Sequence, residues 1–97
     1  MYNPFFKANF SQTRTIAQDI QTDPKYRLEI NNCIERFISK DWGDLTDDDI
    51  KSNNEAIAYN DRILASYKTS KGKIYIIADA TDKNYYEIVT VLFANEY

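Results

Sequence analysis

Apolar residues recur every three or four positions in the first half of the chain, which predicts amphipathic helices. The most regular stripe spans Pro24–Lys40, just after Asp23. Asp is a favoured helix cap, and Pro lacks the amide that would be unpaired in the first turn. A shorter helix is predicted over Thr13–Gln21, where two isoleucines lie four residues apart. The stripe of the long helix consists of Tyr26, Ile30, Cys33, Ile34, Phe37 and Ile38.

A third helix is predicted to begin at Thr46, whose hydroxyl can accept the amide hydrogen of Asp49. Three consecutive aspartates follow Thr46 and favour the positive end of the helix dipole. The helix is expected to end near Tyr59. Its apolar face is thin, so we expect it at the edge of the domain; this face comprises Ile50, Ile57 and Ala58.

The apolar period changes to two after residue 61, which predicts β-strands. Ile63 begins the first alternating run, and Gly72 lies in the tight turn that follows. A second strand is predicted over Lys73–Asp79 and a third over Tyr85–Phe93, with a turn at residues 82–84 between them. Short turns join antiparallel strands, so the three strands should form a meander.

These elements predict one α+β domain over residues 1–97. The N-terminal helices would pack on one face of a C-terminal antiparallel β-meander of three or four strands. Phe5–Phe10 would supply the fourth strand. Cys33 and Trp42 are both expected in the core, since each lies on or beside the apolar stripe of the long helix.

Composition removes several classes of function. The 97 residues contain no His, so the commonest general base near neutral pH is missing. One Cys permits neither an internal disulfide nor a Cys/His zinc site. The longest apolar stretch near the end of the chain, Val89–Phe93, is far shorter than a membrane span, and the start lacks the apolar core of a secretory signal. The sequence therefore predicts a cytoplasmic, non-enzymatic protein with no membrane partner.

Charge is distributed unevenly along the chain. Residues 41–61 hold seven acidic residues against one lysine, a charge of −6, whereas the remaining residues, with 11 basic and eight acidic, carry +3. Helix capping and solubility account for such a segment. The functional alternative is an acidic surface that meets a protein partner with a basic groove, because such a surface speeds and orients association. The predicted surface is formed by Asp41, Asp44, Asp47, Asp48, Asp49, Glu55 and Asp61.

No cofactor or metal ion is predicted. The spacing from Asp44 to Glu55 resembles a calcium-binding loop, but Asp49 occupies the position where that loop requires Gly. Glycine-rich phosphate loops are absent, since the sequence has two glycines only.

The predicted strands offer a second candidate surface. Tyrosines and lysines on a sheet can stack nucleic-acid bases and hold phosphates. Direct nucleic-acid binding is a less favoured hypothesis than binding to a protein partner, because the chain as a whole is acidic. A homodimer through an open sheet edge or an aromatic patch is also compatible with so small a domain. The residues of this alternative nucleic-acid face are Tyr67, Lys68, Lys73, Tyr75 and Tyr85.

Several short stretches between Asp41 and Tyr97 carry a resemblance to a known family. They are Asp41-Trp42-Gly43-Asp44-Leu45, Asn53 with Ala56, Arg62-Ile63-Leu64-Ala65-Ser66-Tyr67, Gly72 with Ile74-Tyr75-Ile76-Ile77, Thr90-Val91-Leu92-Phe93 and Glu96-Tyr97. In these residues the chain resembles small plasmid-related proteins carried by plasmids and integrative elements. The resemblance implies a mobile-element context and brings no catalytic residues with it.

Charge and resemblance together give the functional expectation. The chain is expected to bind and inhibit a host nucleic-acid-handling defence complex, as anti-CRISPR or anti-restriction proteins do, through its acidic surface. The alternative is a small nucleic-acid-binding accessory or regulatory protein that uses the tyrosine and lysine face of the sheet.

Overall fold

Helices precede strands along most of the chain, as the change of apolar period predicts. The computed structural model describes residues 3–97. The elements are β1 (Asn9–Gln12), α1 (Arg14–Thr22), α2 (Pro24–Ile38), α3 (Asp47–Tyr59), β2 (Ile63–Thr69), β3 (Gly72–Ala78), β4 (Ile88–Phe93) and a short 3-10 turn (Ala94–Glu96). The four strands form one sheet in the order β1-β4-β3-β2. The α+β prediction is confirmed.

The antiparallel meander is confirmed for β2, β3 and β4, in which Tyr67 lies opposite Ile74. The N-terminal strand joins the sheet, but it pairs parallel to β4, with Asn9 opposite Ile88, so the sheet is mixed. It also begins later than predicted. The side chain of Asn3 accepts the amide hydrogen of Phe5 at 2.9 Å, and residues 4–7 form a turn instead of a strand.

The helix boundaries follow from local chemistry. The Asp23 carboxylate accepts hydrogen bonds from the first amides of α2, and the Thr46 hydroxyl accepts the Asp49 amide at 3.2 Å, as predicted. α2 is shorter than predicted because Lys40 adopts a left-handed conformation with φ of 65°. Gly43 also has a positive φ, and a Cβ at this position would clash with the carbonyl oxygen of Ser66, so only Gly fits there.

The core lies between α1, α2 and the inner face of the sheet. It takes alternate residues of each strand, such as Ile63 of β2 and Ile76 of β3, together with Ile16 of α1. Cys33 and Trp42 are buried in this cluster, as predicted. Burial raises the pKa of the Cys33 thiol, which keeps the group neutral.

α3 lies beside β2, with a buried face that differs from the predicted one. Its buried residues are Asn53 and Ala56, whereas Ile50 and Ile57 are half-buried and Ala58 is exposed. The polar Asn53 is buried because its side chain hydrogen-bonds the backbone of β2.

The residues of the strands that alternate with the core form the outer face of the sheet. Ile77 and Leu92 are the buried members of this face in β3 and β4, and they lie outside the core cluster. We use "outer face" for the side of the sheet formed by Leu64, Ser66, Lys68, Lys73, Tyr75, Ile77, Ile88, Thr90 and Leu92.

Candidate functional site

Asp41 differs from the other acidic residues of the predicted surface because its carboxylate is held by contacts within the chain. Its carboxylate pairs with the guanidinium of Arg36 at 2.7 Å and accepts the Gly43 amide at 3.1 Å. The hydrogen bond from Arg36 holds the pKa of Asp41 below its ordinary value. Asp41 therefore fixes the turn that follows α2, and a partner would have to compete with Arg36 for it.

The other six acidic residues are exposed. None has a carboxylate oxygen within 4.0 Å of a lysine or arginine nitrogen among residues 3–97, where the ion pairs join Arg36, Lys71 and Lys83 to other acids. These six residues therefore form no ion pair within the described chain, although Lys51 lies one helical turn from both Asp47 and Glu55. We call them the acidic surface: Asp44, Asp47, Asp48, Asp49, Glu55 and Asp61.

Helix geometry spreads the carboxylates of α3 around its exposed side. Asp48 and Glu55 are seven residues apart, about two turns or 10 Å along one flank of α3. Asp47 and Asp49 project to either side of Asp48, each about 100° around the helix, and Lys51 lies one turn from both Asp47 and Glu55 on the same exposed side. A single flat partner surface could therefore meet Asp48 and Glu55 together but not all six carboxylates.

Two shallow clefts follow the flank that carries Glu55. The first, of about 410 Å³, is lined by Ser52, Glu55, Ala56, Tyr59, Asp61 and Arg62. The second, of about 290 Å³, is lined by Leu45, Asp49, Ser52, Asn53 and Leu64. They share Ser52, so the two clefts are neighbours along α3. The structure brings Glu55 and Asp61 to one cleft and places Asp49 in the next.

The acidic residues do not converge on a metal site. Within the described part of the chain, no group of three His, Cys, Asp or Glu side chains is placed to hold an ion. Most of the stretch from Asp44 to Glu55 is the helix α3. The calcium-loop spacing in the sequence therefore corresponds to a helix.

Tyr67 does not belong to the alternative nucleic-acid face. It is buried on the inner face of β2, in the same alternation as Ile63, and its hydroxyl donates to the Asp41 carbonyl at 2.8 Å. The Arg36 guanidinium lies 5.1 Å from its ring centroid. Burial raises the pKa of Tyr67 well above its usual range. Strand alternation alone separates Tyr67 from Lys68, and the sequence prediction wrongly put both on one surface.

Lys68, Lys73 and Tyr75 do share the outer face. Lys68 and Lys73 are direct cross-strand partners, and the Lys73 ammonium lies 5.8 Å from the Tyr75 ring centroid. Tyr97 packs edge-to-face on Tyr75 at 5.6 Å, and the Arg62 guanidinium lies 5.4 Å from the Tyr97 ring. We call this group the outer cluster: Arg62, Lys68, Lys73, Tyr75 and Tyr97.

Sequence reasoning missed Arg62 and Tyr97. For Arg62 a signal was present, because it continues the alternation of the outer-face residues of β2 toward the start of the strand. For Tyr97 there was none, since it lies beyond the last strand and reaches Tyr75 only through the tertiary fold.

Tyr85 lies in a different group, on the loop between β3 and β4. Its ring packs at 5.9 Å from Phe6, and the ammonium groups of Lys7 and Lys83 lie 5.1 Å and 5.9 Å from its centroid. Its neighbours are therefore residues of the first turn and its own loop, and none of the outer cluster.

No protein-family model, curated protein or solved structure matches the chain. None of the helices in residues 3–97 combines the length and the apolar character that crossing a membrane requires.

Proposed function

We propose that this chain is a non-enzymatic mobile-element protein that inhibits a host nucleic-acid-handling defence complex. Its acidic surface would dock in a basic groove of that complex and exclude nucleic acid. The observation that carries the proposal is the set of six exposed carboxylates with no cation within 4.0 Å among residues 3–97. The resemblance of residues 41–97 to plasmid-related proteins supports the mobile-element context.

The arrangement of the carboxylates suits a groove that holds a phosphate backbone. Asp48 and Glu55 lie on one side of a rigid helix, and the clefts beside them add Asp49 and Asp61. Carboxylates at fixed spacing on such a scaffold can occupy the positions of successive phosphates. Long-range attraction to a basic groove raises the association rate and falls as salt is added.

The proposal is tested by removing charge while leaving shape intact. In the triple variant Asp48→Asn, Glu55→Gln and Asp61→Asn, each acid is replaced by its amide. The variant and the wild-type chain are expressed in cells that carry an active CRISPR or restriction system, and the efficiency of plating of a targeted phage is measured. We expect the wild-type chain to protect the phage and the variant to lose that protection.

Glu35→Gln is the matched control, because Glu35 is exposed on α2 and makes no ion pair in residues 3–97. Thermal melting should show that both variants remain folded. Full protection by the triple variant would overturn docking through the acidic surface. Absence of protection by the wild-type chain against every system tested would overturn the inhibitor function itself.

A further inference from the structure

The outer face of the sheet is the positive counterpart of the acidic surface. None of the four strands contains an Asp or Glu, and their only charged residues are Lys68 and Lys73. Arg62 adds a third cation immediately before β2. The outer face is therefore locally basic although the chain as a whole carries −3.

These cations form no ion pairs within the described residues. No carboxylate oxygen of residues 3–97 lies within 4.0 Å of the side-chain nitrogens of Arg62, Lys68 or Lys73. Lys68 and Lys73 are moreover directly opposite each other in the ladder, an arrangement of like charges that destabilises a sheet. An anion bound between them would relieve this repulsion.

Aromatic rings accompany the cations. Tyr97 is 64% exposed, so most of its surface is available to a ligand. Its neighbour Tyr75 is half-buried on a central strand, and each of the two rings has one cation within 6 Å of its centroid. Rings with adjacent cations suit a ligand that alternates planar groups with negative charges.

We propose that the outer cluster binds single-stranded nucleic acid. Bases stack on Tyr97 and Tyr75, and phosphates lie against Arg62, Lys68 and Lys73. Arg62 also lines the cleft that contains Glu55 and Asp61, so the acidic surface begins where the outer cluster ends. Those carboxylates repel phosphates and keep the strand on the sheet. The ligand contacts of this site use none of the acidic residues, so its test does not depend on the inhibitor function proposed for them.

A second copy of the chain is a less suitable occupant of this face. A symmetric dimer would place the same patch of each copy against the other. The unpaired cations of both copies would then meet, Lys68 and Lys73 of one against those of its partner, with no acid in any strand to separate them.

The experiment is a fluorescence-anisotropy titration of the full chain against labelled oligo(dT) and oligo(rU) of about 12 nucleotides, a length within the range that one small sheet domain covers. Tyr97→Ala should weaken binding at least about five-fold, because stacking on an exposed ring is lost. Tyr59→Ala is the matched control, since Tyr59 is an exposed tyrosine on the acidic side of the molecule. It should leave the affinity unchanged.

Salt dependence tests the phosphate contacts. Three contacts predict a slope of about −2 for log K against log salt, and Lys73→Gln should reduce its magnitude by about 0.7. Lys51→Gln removes the same charge from α3 and should leave the slope unchanged. Lys73→Gln should also melt no lower than wild type, since the repulsion with Lys68 disappears, which separates lost binding from lost folding.

Failure of both oligonucleotides to bind at concentrations up to about 0.1 mM, the range of non-specific binding, would overturn the proposal. So would equal affinity for Tyr97→Ala and wild type, or equal binding of a duplex in which no base can stack on a ring. A concentration-dependent dimer that Tyr97→Ala abolishes would assign the face to a second copy instead.

Discussion

The side-chain amide of Asn53 pairs with the backbone of Leu64 as a neighbouring strand would. Its nitrogen donates to the Leu64 carbonyl at 2.9 Å, and its oxygen accepts from the Leu64 amide at 3.4 Å. Two residues along, the Ser66 amide donates to the Trp42 carbonyl at 3.0 Å and the Ser66 carbonyl accepts the Asp44 amide at 2.7 Å. On the side of β2 that faces away from β3, the backbone groups of Leu64 and Ser66 are thus already hydrogen-bonded. This protects the edge strand from pairing with other chains.

Asn53→Ala tests this edge. We expect the variant to lose about 2 kcal/mol of unfolding free energy. Both hydrogen bonds from Asn53 are lost, so the amide and the carbonyl of Leu64 are left without their partners. Urea denaturation measures the change. Asn31→Ala on the exposed side of α2 is the control and should be neutral or slightly stabilising, since Ala has the higher helix propensity. A loss below about 0.5 kcal/mol, the size of an ordinary surface effect, would contradict the role given to Asn53.

Gly43→Ala and Gly72→Ala form a matched pair. Both glycines have positive φ, 78° and 116°, so both substitutions strain the backbone. A Cβ on Gly43 would come within 1.9 Å of the Ser66 carbonyl oxygen, whereas a Cβ on Gly72 meets nothing within 4 Å. We expect Gly72→Ala to cost about 1–3 kcal/mol and Gly43→Ala to cost more than that, up to loss of the folded state. Equal midpoints in urea for the two variants would show that the contact with Ser66 is unimportant.

Ser66→Ala should keep or raise stability. The Ser66 hydroxyl is buried on the outer face with no hydrogen-bond partner in residues 3–97, so it carries a desolvation cost without a compensating bond. Removing it should raise the unfolding free energy by about 1 kcal/mol. Ser70→Ala provides the contrast, because the Ser70 hydroxyl bonds the Glu29 carboxylate at 2.5 Å and its loss should destabilise. Destabilisation by Ser66→Ala would reveal a partner for this hydroxyl.

Asp41→Asn should make stability less sensitive to acid. The Arg36 hydrogen bond lowers the pKa of Asp41 in the folded protein, so the carboxylate is easier to ionise there than in the unfolded chain. Its contribution is therefore complete above about pH 4 and is lost as the pH falls through the lowered pKa. Both side chains are about half exposed, at 41% and 51%, so solvent screening limits the contribution to about 0.5 kcal/mol.

Unfolding in urea at a series of pH values would measure this effect. The difference between wild type and Asp41→Asn should be largest near neutral pH and shrink in acid. Asp44→Asn is the control, because Asp44 makes no ion pair in residues 3–97. A difference that stayed constant down to about pH 2 would mean that the charge of Asp41 is not what stabilises the turn.

The sequence predicted those parts of the fold that depend on local chemistry. The cap at Asp23, the start of α3 at Thr46 and the alternation that begins at Ile63 each follow from a few neighbouring residues. The buried face of α3 did not follow, because hydropathy treats Asn53 as a solvent-facing residue unless its partner on β2 is known. The parallel pairing of β1 depends on residues about 80 positions away and leaves no local pattern.

The candidate sites were predictable to a similar degree. Exposure of Asp48 and Glu55 follows from their charge, so the acidic surface was largely visible in the sequence. The pairing of Asp41 with Arg36 depends on the backbone reversal at Lys40, which no helix period encodes. The cluster around Tyr97 joins residues from three separate parts of the chain, and only the folded sheet reveals it.

The parallel pairing of β1 with β4 also constrains when the protein can fold. Asn9 meets Ile88, so β1 has no neighbour until β4 has left the ribosome. Until then the apolar side chains of α1, which packs on β4, lack the strand that covers them, and the nascent chain is exposed to proteases and to other unfolded chains. The sheet therefore stays incomplete until β4 has been synthesised, because β4 lies between β1 and β3. A ribosome that stalls shortly before residue 88 leaves a product without this central strand.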